Sequence, residues 1–233
     1  MKIKVTKNGP YIVSGNVPLY KGEIIVDNEN YPTNYDNKEK IDTEETYALC
    51  RCGKSKNYPF CDASHLTNNF DGTEIAKKHI TNDDINISES EKLKLEDIPS
   101  LCDHSRFCTR NGGVRKLMEK GDTDHESFEN AKKEATLCPS GRLTIIDKTN
   151  NESTNKQSDP EIVLLFDNGQ NKNGPIWVRG DIAIECEDGQ EYDNRNRYTL
   201  CRCGKSENKP SCDGSHWVSE GFQKKFKKRW KID

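Results

Sequence analysis

Residues 50–65 read CRCGKSKNYPFCDASH, and residues 201–216 read CRCGKSENKPSCDGSH. The two stretches align without a gap, agree at 12 of 16 positions, and share the form C-x-C-x2-S-x3-P-x-C-D-x-S-H. The likeness continues upstream. Gly9-Pro10-Tyr11-Ile12-Val13-Ser14-Gly15-Asn16-Val17 resembles Gly174-Pro175-Ile176-Trp177-Val178-Arg179-Gly180-Asp181-Ile182. Each copy reads as a strand-forming segment, a variable stretch and a cysteine-rich loop, so one small module occurs twice.

The surrounding composition narrows what such modules do. Of 233 residues, 31% are hydrophobic and 32% charged, too few apolar side chains for one large core. Small domains with added cross-links are expected instead. A formal net charge of -3 gives no electrostatic case for nucleic-acid binding. The apolar run Ile162-Val163-Leu164-Leu165-Phe166 falls far short of the roughly 20 residues of a membrane span. The start, Met1-Lys2-Ile3-Lys4-Val5-Thr6-Lys7, lacks the apolar stretch of a secretory signal, which predicts a cytoplasmic protein. In that reducing compartment disulfides are uncommon, and ten cysteines point to metal or redox chemistry.

The predicted organisation is α+β, with two small β-rich modules flanking a partly helical middle. The boundaries are residues 1–80, 81–158 and 159–233. Residues 81–100 are acidic and turn-rich and read as a connector, and residues 148–160 have linker composition. Between them, Val114, Leu117 and Met118 fit one helical face that Gly121 ends. A second helix is predicted from Thr123, with Glu126 completing a capping box and Phe128, Ala131 and Ala135 facing inward. Pro139 stops it.

Within each motif, Asp62 and Asp213 are suitable helix N-caps. If a helical turn starts there, Cys61 and His65 converge four residues apart, as do Cys212 and His216. Cys50 and Cys52, and likewise Cys201 and Cys203, point to the same side of an extended chain. Three thiolates and one imidazole form a complete ligand set for either a tetrahedral zinc or an iron–sulfur cluster. A single residue between paired cysteines is tight for zinc. A two-iron cluster fits better, with one metal on each pair. Reduced core cysteines, or a Cys-x-Cys pair working by disulfide exchange, would leave His65 and His216 unexplained.

The pattern resembles the CDGSH iron–sulfur domain of the mitoNEET family. That resemblance implies a [2Fe–2S] cluster on Cys50, Cys52, Cys61 and His65, and a second on Cys201, Cys203, Cys212 and His216. Ala63 departs from the family's usual glycine, which matters only if the position needs φ > 0. Family members are often dimers, so this chain could build the pair internally as a monomer.

Cys102, Cys108 and Cys138 lie in the middle segment, where Cys138-Pro139 resembles the Cys-Pro that closes bacterial ferredoxin motifs. The segment resembles divergent single-cluster ferredoxin-like domains but lacks C-x2-C-x2-C. A purely structural domain is the preferred reading. The alternatives are a cluster completed by His104 or Cys186, a three-iron cluster, or a relic. In the tail, Phe222, Phe226 and Trp230 are expected to cover the second module while the neighbouring lysines stay in water. His79 and His125 read as surface residues. No nucleophilic triad, P-loop or dinucleotide fingerprint occurs. The expected function is electron transfer or cluster transfer to a protein partner or acceptor, not catalysis. A zinc-stabilised interaction module and a redox- or iron-sensing regulator are the alternatives.

Overall fold

The computed structural model describes residues 1–217, so the expectation for Phe222, Phe226 and Trp230 lies outside the described residues. The described chain is mostly sheet, with two α-helices in its middle segment, and is arranged as three sheets. The first repeat supplies β1 (Lys2–Val5), β2 (Tyr11–Ser14), β3 (Leu19–Val26), β4 (Pro32–Ile41) and β5 (Thr46–Leu49). The middle supplies β6 (Asn86–Glu89), β7 (Leu93–Asp97), α1 (Val114–Gly121), α2 (His125–Thr136), β8 (Leu143–Asp147) and β9 (Glu152–Ser153). The second repeat supplies β10 (Glu161–Asp167), β11 (Lys172–Arg179), β12 (Ala183–Glu185) and β13 (Arg197–Leu200). No helix among the described residues is long and apolar enough to cross a membrane.

The repeats exchange strands. The first sheet runs β12-β1-β2-β5 and the second β13-β11-β10-β3-β4. In each, an antiparallel trio from one repeat (β1-β2-β5 or β10-β11-β13) is extended by a parallel strand from the other. Lys2 pairs with Ala183, and Leu19 pairs with Ile162. Alternation explains the facing: Ile3, Val5, Tyr11, Val13, Leu19, Tyr47 and Leu49 point inward to meet Ile162, Leu164, Ile176, Val178, Ile182, Tyr198 and Leu200. Both repeats therefore contribute to one apolar core, in which each fully buried Leu or Ile contributes roughly 1.5–3 kcal/mol.

The middle segment has its own core. Leu93, Leu95, Leu143 and Ile145 on one sheet face pack against Val114, Leu117, Met118, Ala131 and Ala135. Helix α1 ends at Gly121 as its composition predicts. Helix α2 starts one residue later than expected: Asp124 is the N-cap, and its carboxylate accepts from the Ser127 N–H at 3.0 Å. Aspartate at that position draws both the exposed amide and the helix dipole. The acidic stretch 81–100 is no connector, since it contains β6 and β7. Its Leu93 and Leu95 alternate with charged residues, the period-2 signal that overrides local polarity. Residues 148–160 are only partly linker, because β9 pairs with β8 there.

Candidate metal centres

The motif loops leave β5 and β13 through the same hydrogen bonds. Cys50 N–H donates to Pro59 O at 2.8 Å and Cys61 N–H to Ala48 O at 2.9 Å. Cys201 N–H donates to Pro210 O at 2.8 Å and Cys212 N–H to Thr199 O at 2.9 Å. The shared serine closes each loop: Ser55 Oγ donates to Phe60 O at 2.6 Å, and Ser206 Oγ to Ser211 O at 2.7 Å. The shared aspartate ties the loop's two ends. Asp62 accepts from the N–H groups of Lys56 and Ser64 at 2.7 and 3.0 Å, and Asp213 from those of Glu207 and Ser215 at 2.8 and 2.9 Å. The Ser64 hydroxyl, followed by the amides of Lys56 and Ser64, holds the Asp62 carboxyl well below its usual range.

Asp62 and Asp213 thus brace turns where helices were expected. Only a short 3-10 turn, Ser64–Leu66, follows in the first copy. The expected convergence still occurs. Cys61 Sγ lies 3.4 Å from His65 Nδ1, and Cys212 Sγ lies 3.5 Å from His216 Nδ1. Cys50 and Cys52 sulfurs are 3.7 Å apart, as are those of Cys201 and Cys203. Two thiolates on one tetrahedral metal, with bonds of about 2.3 Å, are separated by about 3.8 Å, and a thiolate and an imidazole by about 3.5 Å. Each pair is spaced to share a metal. Among the described residues, no group of three or more His, Cys, Asp and Glu is arranged to hold a single metal ion. The donors come as pairs.

The electrostatics favour thiolate at Cys201. The Cys201 thiol is lowered to about 6 by a hydrogen bond with Cys203, aided against burial by the N–H groups of Ser206, Cys203 and Gly204. Cys203 rises in consequence, since one proton is shared by the pair. Burial raises Cys50 and, more strongly, Cys212.

Two residues escaped the sequence reading. Arg51 and Arg202, between the paired cysteines, are 1% and 5% exposed. Arg51 donates to Thr6 O at 3.1 Å and Gly72 O at 2.5 Å, and Arg202 donates to Gly174 O at 2.6 Å and to Leu165 O. Their identity in both copies was the available signal. Tyr11 is the other cross-brace, its hydroxyl donating to Cys201 O at 2.8 Å from the opposite repeat.

The two motifs meet directly. A Cβ on Gly53 would lie 2.6 Å from Cys203 O, and one on Gly204 would lie 2.7 Å from Cys52 O. They differ at the residue after Cys-Asp. Ala63 has φ 66 and Gly214 φ 78, so the position does require a left-handed backbone. Ala63 is exposed and meets only the conformational cost. A Cβ at Gly214 would lie 2.8 Å from His104 Cδ2 and 3.0 Å from Asp103 O. We predict that Ala63→Gly stabilises by about 0.5–1 kcal/mol in thermal unfolding. Gly214→Ala should destabilise by about 2–4 kcal/mol, since strain and overpacking add.

That crowding arises because the middle segment covers the second pocket. Ser100 O accepts from Asn208 Nδ2 at 2.9 Å, and the Arg106 guanidinium lies 5.0 Å from the Trp217 ring. His216 Nε2 is buried without a hydrogen-bond partner, and burial, with Arg202, Lys172 and His104 nearby, lowers the ring to about 3. Among the described residues the first pocket has no such cover, and Cys61 and His65 are half-buried.

Cys102, Cys108 and Cys138 come close enough together that the charges of Cys138 and Cys102 add to burial in pushing Cys108 up to about 12. Cys186 lies elsewhere, in the shared core, with Glu74, Lys78 and Tyr192 as neighbours, which removes it as a fourth ligand. His104 packs on the second motif. Asp103 is buried, and its Oδ1 accepts from the Ser105 N–H at 3.2 Å. His79 is exposed and pairs with Asp193 at 2.9 Å; His125 is exposed and stacks on Phe128.

Comparison with family models matches residues 8–66 and 173–217 to the iron-binding zinc finger of CDGSH type, and residues 88–148 to the divergent 4Fe-4S mono-cluster family. Neither the search of curated proteins nor that of solved structures found a match. The pairs of sulfur and imidazole thus lie in the two segments that match the CDGSH-type iron-binding model, set on either side of the segment that matches the divergent 4Fe-4S mono-cluster model.

Proposed function

We propose that the protein is an electron carrier with three iron–sulfur centres. Two are [2Fe–2S] sites, on Cys50, Cys52, Cys61 and His65 and on Cys201, Cys203, Cys212 and His216. The third is a four-iron site that includes Cys102, Cys108 and Cys138. The observation carrying this reading is the donor spacing, sulfur pairs at 3.7 Å beside sulfur–imidazole pairs at 3.4 and 3.5 Å. Paired donors suit two metals per pocket, whereas structural zinc needs four ligands around one ion. The match of residues 88–148 favours a cluster in the middle segment over a purely structural domain.

When bound, such clusters accept and return single electrons at potentials set by charge, hydrogen bonds and exposure. The protein's own contribution is graded access. Cys61 and His65 are half-buried and reachable by a redox partner, while loop 102–106 insulates the second pocket. Close packing of Cys52-Gly53 on Cys203-Gly204 brings the two pockets side by side. The electron-carrier reading also predicts that partner contact maps to the first motif. The decisive measurement is iron and inorganic sulfide per chain after anaerobic purification, with a visible spectrum. The expected count is about eight irons (two, two and four) with matching sulfide. A colourless protein holding zinc in its place would overturn the proposal.

A further inference from the structure

The two motifs match in sequence but not in surroundings. In the first, Ala63 is exposed, and Cys61 and His65 are half-buried. In the second, Cys212 is 2% exposed, Gly214 is buried, and His216 Nε2 is closed to water with no hydrogen-bond partner. Much of the difference is made by loop 100–106 of the middle segment. A Cβ on Gly214, midway between Cys212 and His216, would lie 2.8 Å from His104 Cδ2 and 2.9 Å from His104 Cβ. The histidine therefore rests on the backbone that joins two of the four donors.

The loop is fastened on both sides of His104. Before it, Ser100 O accepts from Asn208 Nδ2 at 2.9 Å. After it, Arg106 Nη2 lies 3.2 Å from both carboxylate oxygens of Asp167, and Arg106 Nη1 donates to Asn30 O at 2.8 Å. The same guanidinium lies 5.0 Å from the ring of Trp217, the residue after His216. Asp103 and Ser105 are both buried, so the loop is set into the surface and not laid over it. His104 has φ 59 and Arg106 φ 69, conformations that such residues keep only where their surroundings fix them. Swinging the loop away breaks these contacts together, and an opening of that kind is infrequent.

We infer that His104 is a plug that withholds the second motif's cluster from exchange, so that one two-iron cluster of the chain is exchangeable and the other is retained. The inference rests on both motifs holding [2Fe–2S] clusters, and adds which of them an incoming ligand reaches. Removal by EDTA moves no electrons. From each oxidised cluster two Fe3+ pass to the chelator, while two sulfides and three thiolates take up protons from water.

The test uses the full chain, reconstituted anaerobically with isotopically enriched iron and sulfide and challenged with EDTA. Mössbauer spectroscopy separates two-iron from four-iron clusters during the decay. The two-iron signal should fall in two equal phases with rates about tenfold or more apart. Cys61→Ser should abolish the fast phase and keep the slow one. His104→Gly, at a φ that glycine adopts readily, should turn the slow phase into a second fast one and leave the first motif's rate unchanged. General destabilisation would speed both phases. Should His104→Gly not fold, Asn208→Ala, which frees the loop at Ser100, decides instead, with a slow phase about threefold faster or more. Absence of any two-iron signal would overturn the proposed clusters and the plug together. Two-iron clusters that decay at one rate, a slow phase lost in Cys61→Ser, or a slow phase untouched in His104→Gly would overturn the plug alone.

Discussion

Gly53→Ala should lower the free energy of unfolding, measured by denaturant titration, by about 3–4 kcal/mol and should deplete iron from both outer motifs, not from one. The added methyl would sit 2.6 Å from Cys203 O, 2.8 Å from Cys203 C and 2.9 Å from Cys203 Cα. These are backbone atoms next to a ligand, so relief demands that one loop withdraw from the other. Gly53 also has φ +69, which adds a conformational term of roughly 1 kcal/mol. Gly189→Ala is the matched control: φ is +84, and nothing lies within 4 Å of the new Cβ. It should show the conformational term alone, with full iron content. Equal losses in the two variants would mean that the motif loops are not in contact.

The second large effect is expected at Arg197→Met. This side chain is 5% exposed and donates to the carbonyls of Ala135 at 3.1 Å, Cys138 at 3.0 Å, Leu143 at 3.4 Å and Thr136. Those carbonyls lie at and beyond the end of α2, where helical partners run out. A methionine fills the space but removes four donations; Ala135 O and Cys138 O keep the N–H groups of Cys138 at 3.3 Å and Gly141 at 3.4 Å, and the loss of a buried charged donor network costs about 3–5 kcal/mol. Because Arg197 lies on β13 and its acceptors on the middle segment, the loss should also separate their unfolding. Calorimetry should show one transition in the parent protein and two in the variant. Arg197→Lys should recover only part of the loss, since one ammonium cannot reach four carbonyls from a fixed fork. A single transition at an unchanged midpoint would contradict the bracing role.

How far the sequence foretold the fold depends on the range of each interaction. The pairing of the motif cysteines and histidines, the end of α1 at Gly121 and the inward face of α2 follow from spacing, because adjacent turns and alternating strands fix local geometry. The α2 cap was misplaced by one residue, Asp124 in place of Thr123, since both are good capping residues and only the preceding turn chooses. Strands β6 and β7 were hidden by acidic residues on their outer faces. The exchange of β3 and β12 was beyond reach, because residues 17–26 carry no mark of which β10-like partner they will meet. The repeat nevertheless foretold a pair of modules sharing one chain. The packing of His104 on Gly214 escaped notice because a histidine in a left-handed turn has no signature until its contacts are known.

The reciprocal exchange of strands has a consequence for how the chain is made. Lys2 finds its parallel neighbour only at Ala183, so the first sheet stays open on the ribosome until the second repeat has emerged. During that interval the free edge of β1 is available to any other extended chain. Nascent forms truncated before β12 should therefore be captured by chaperones or aggregate, and neither repeat should survive being expressed by itself.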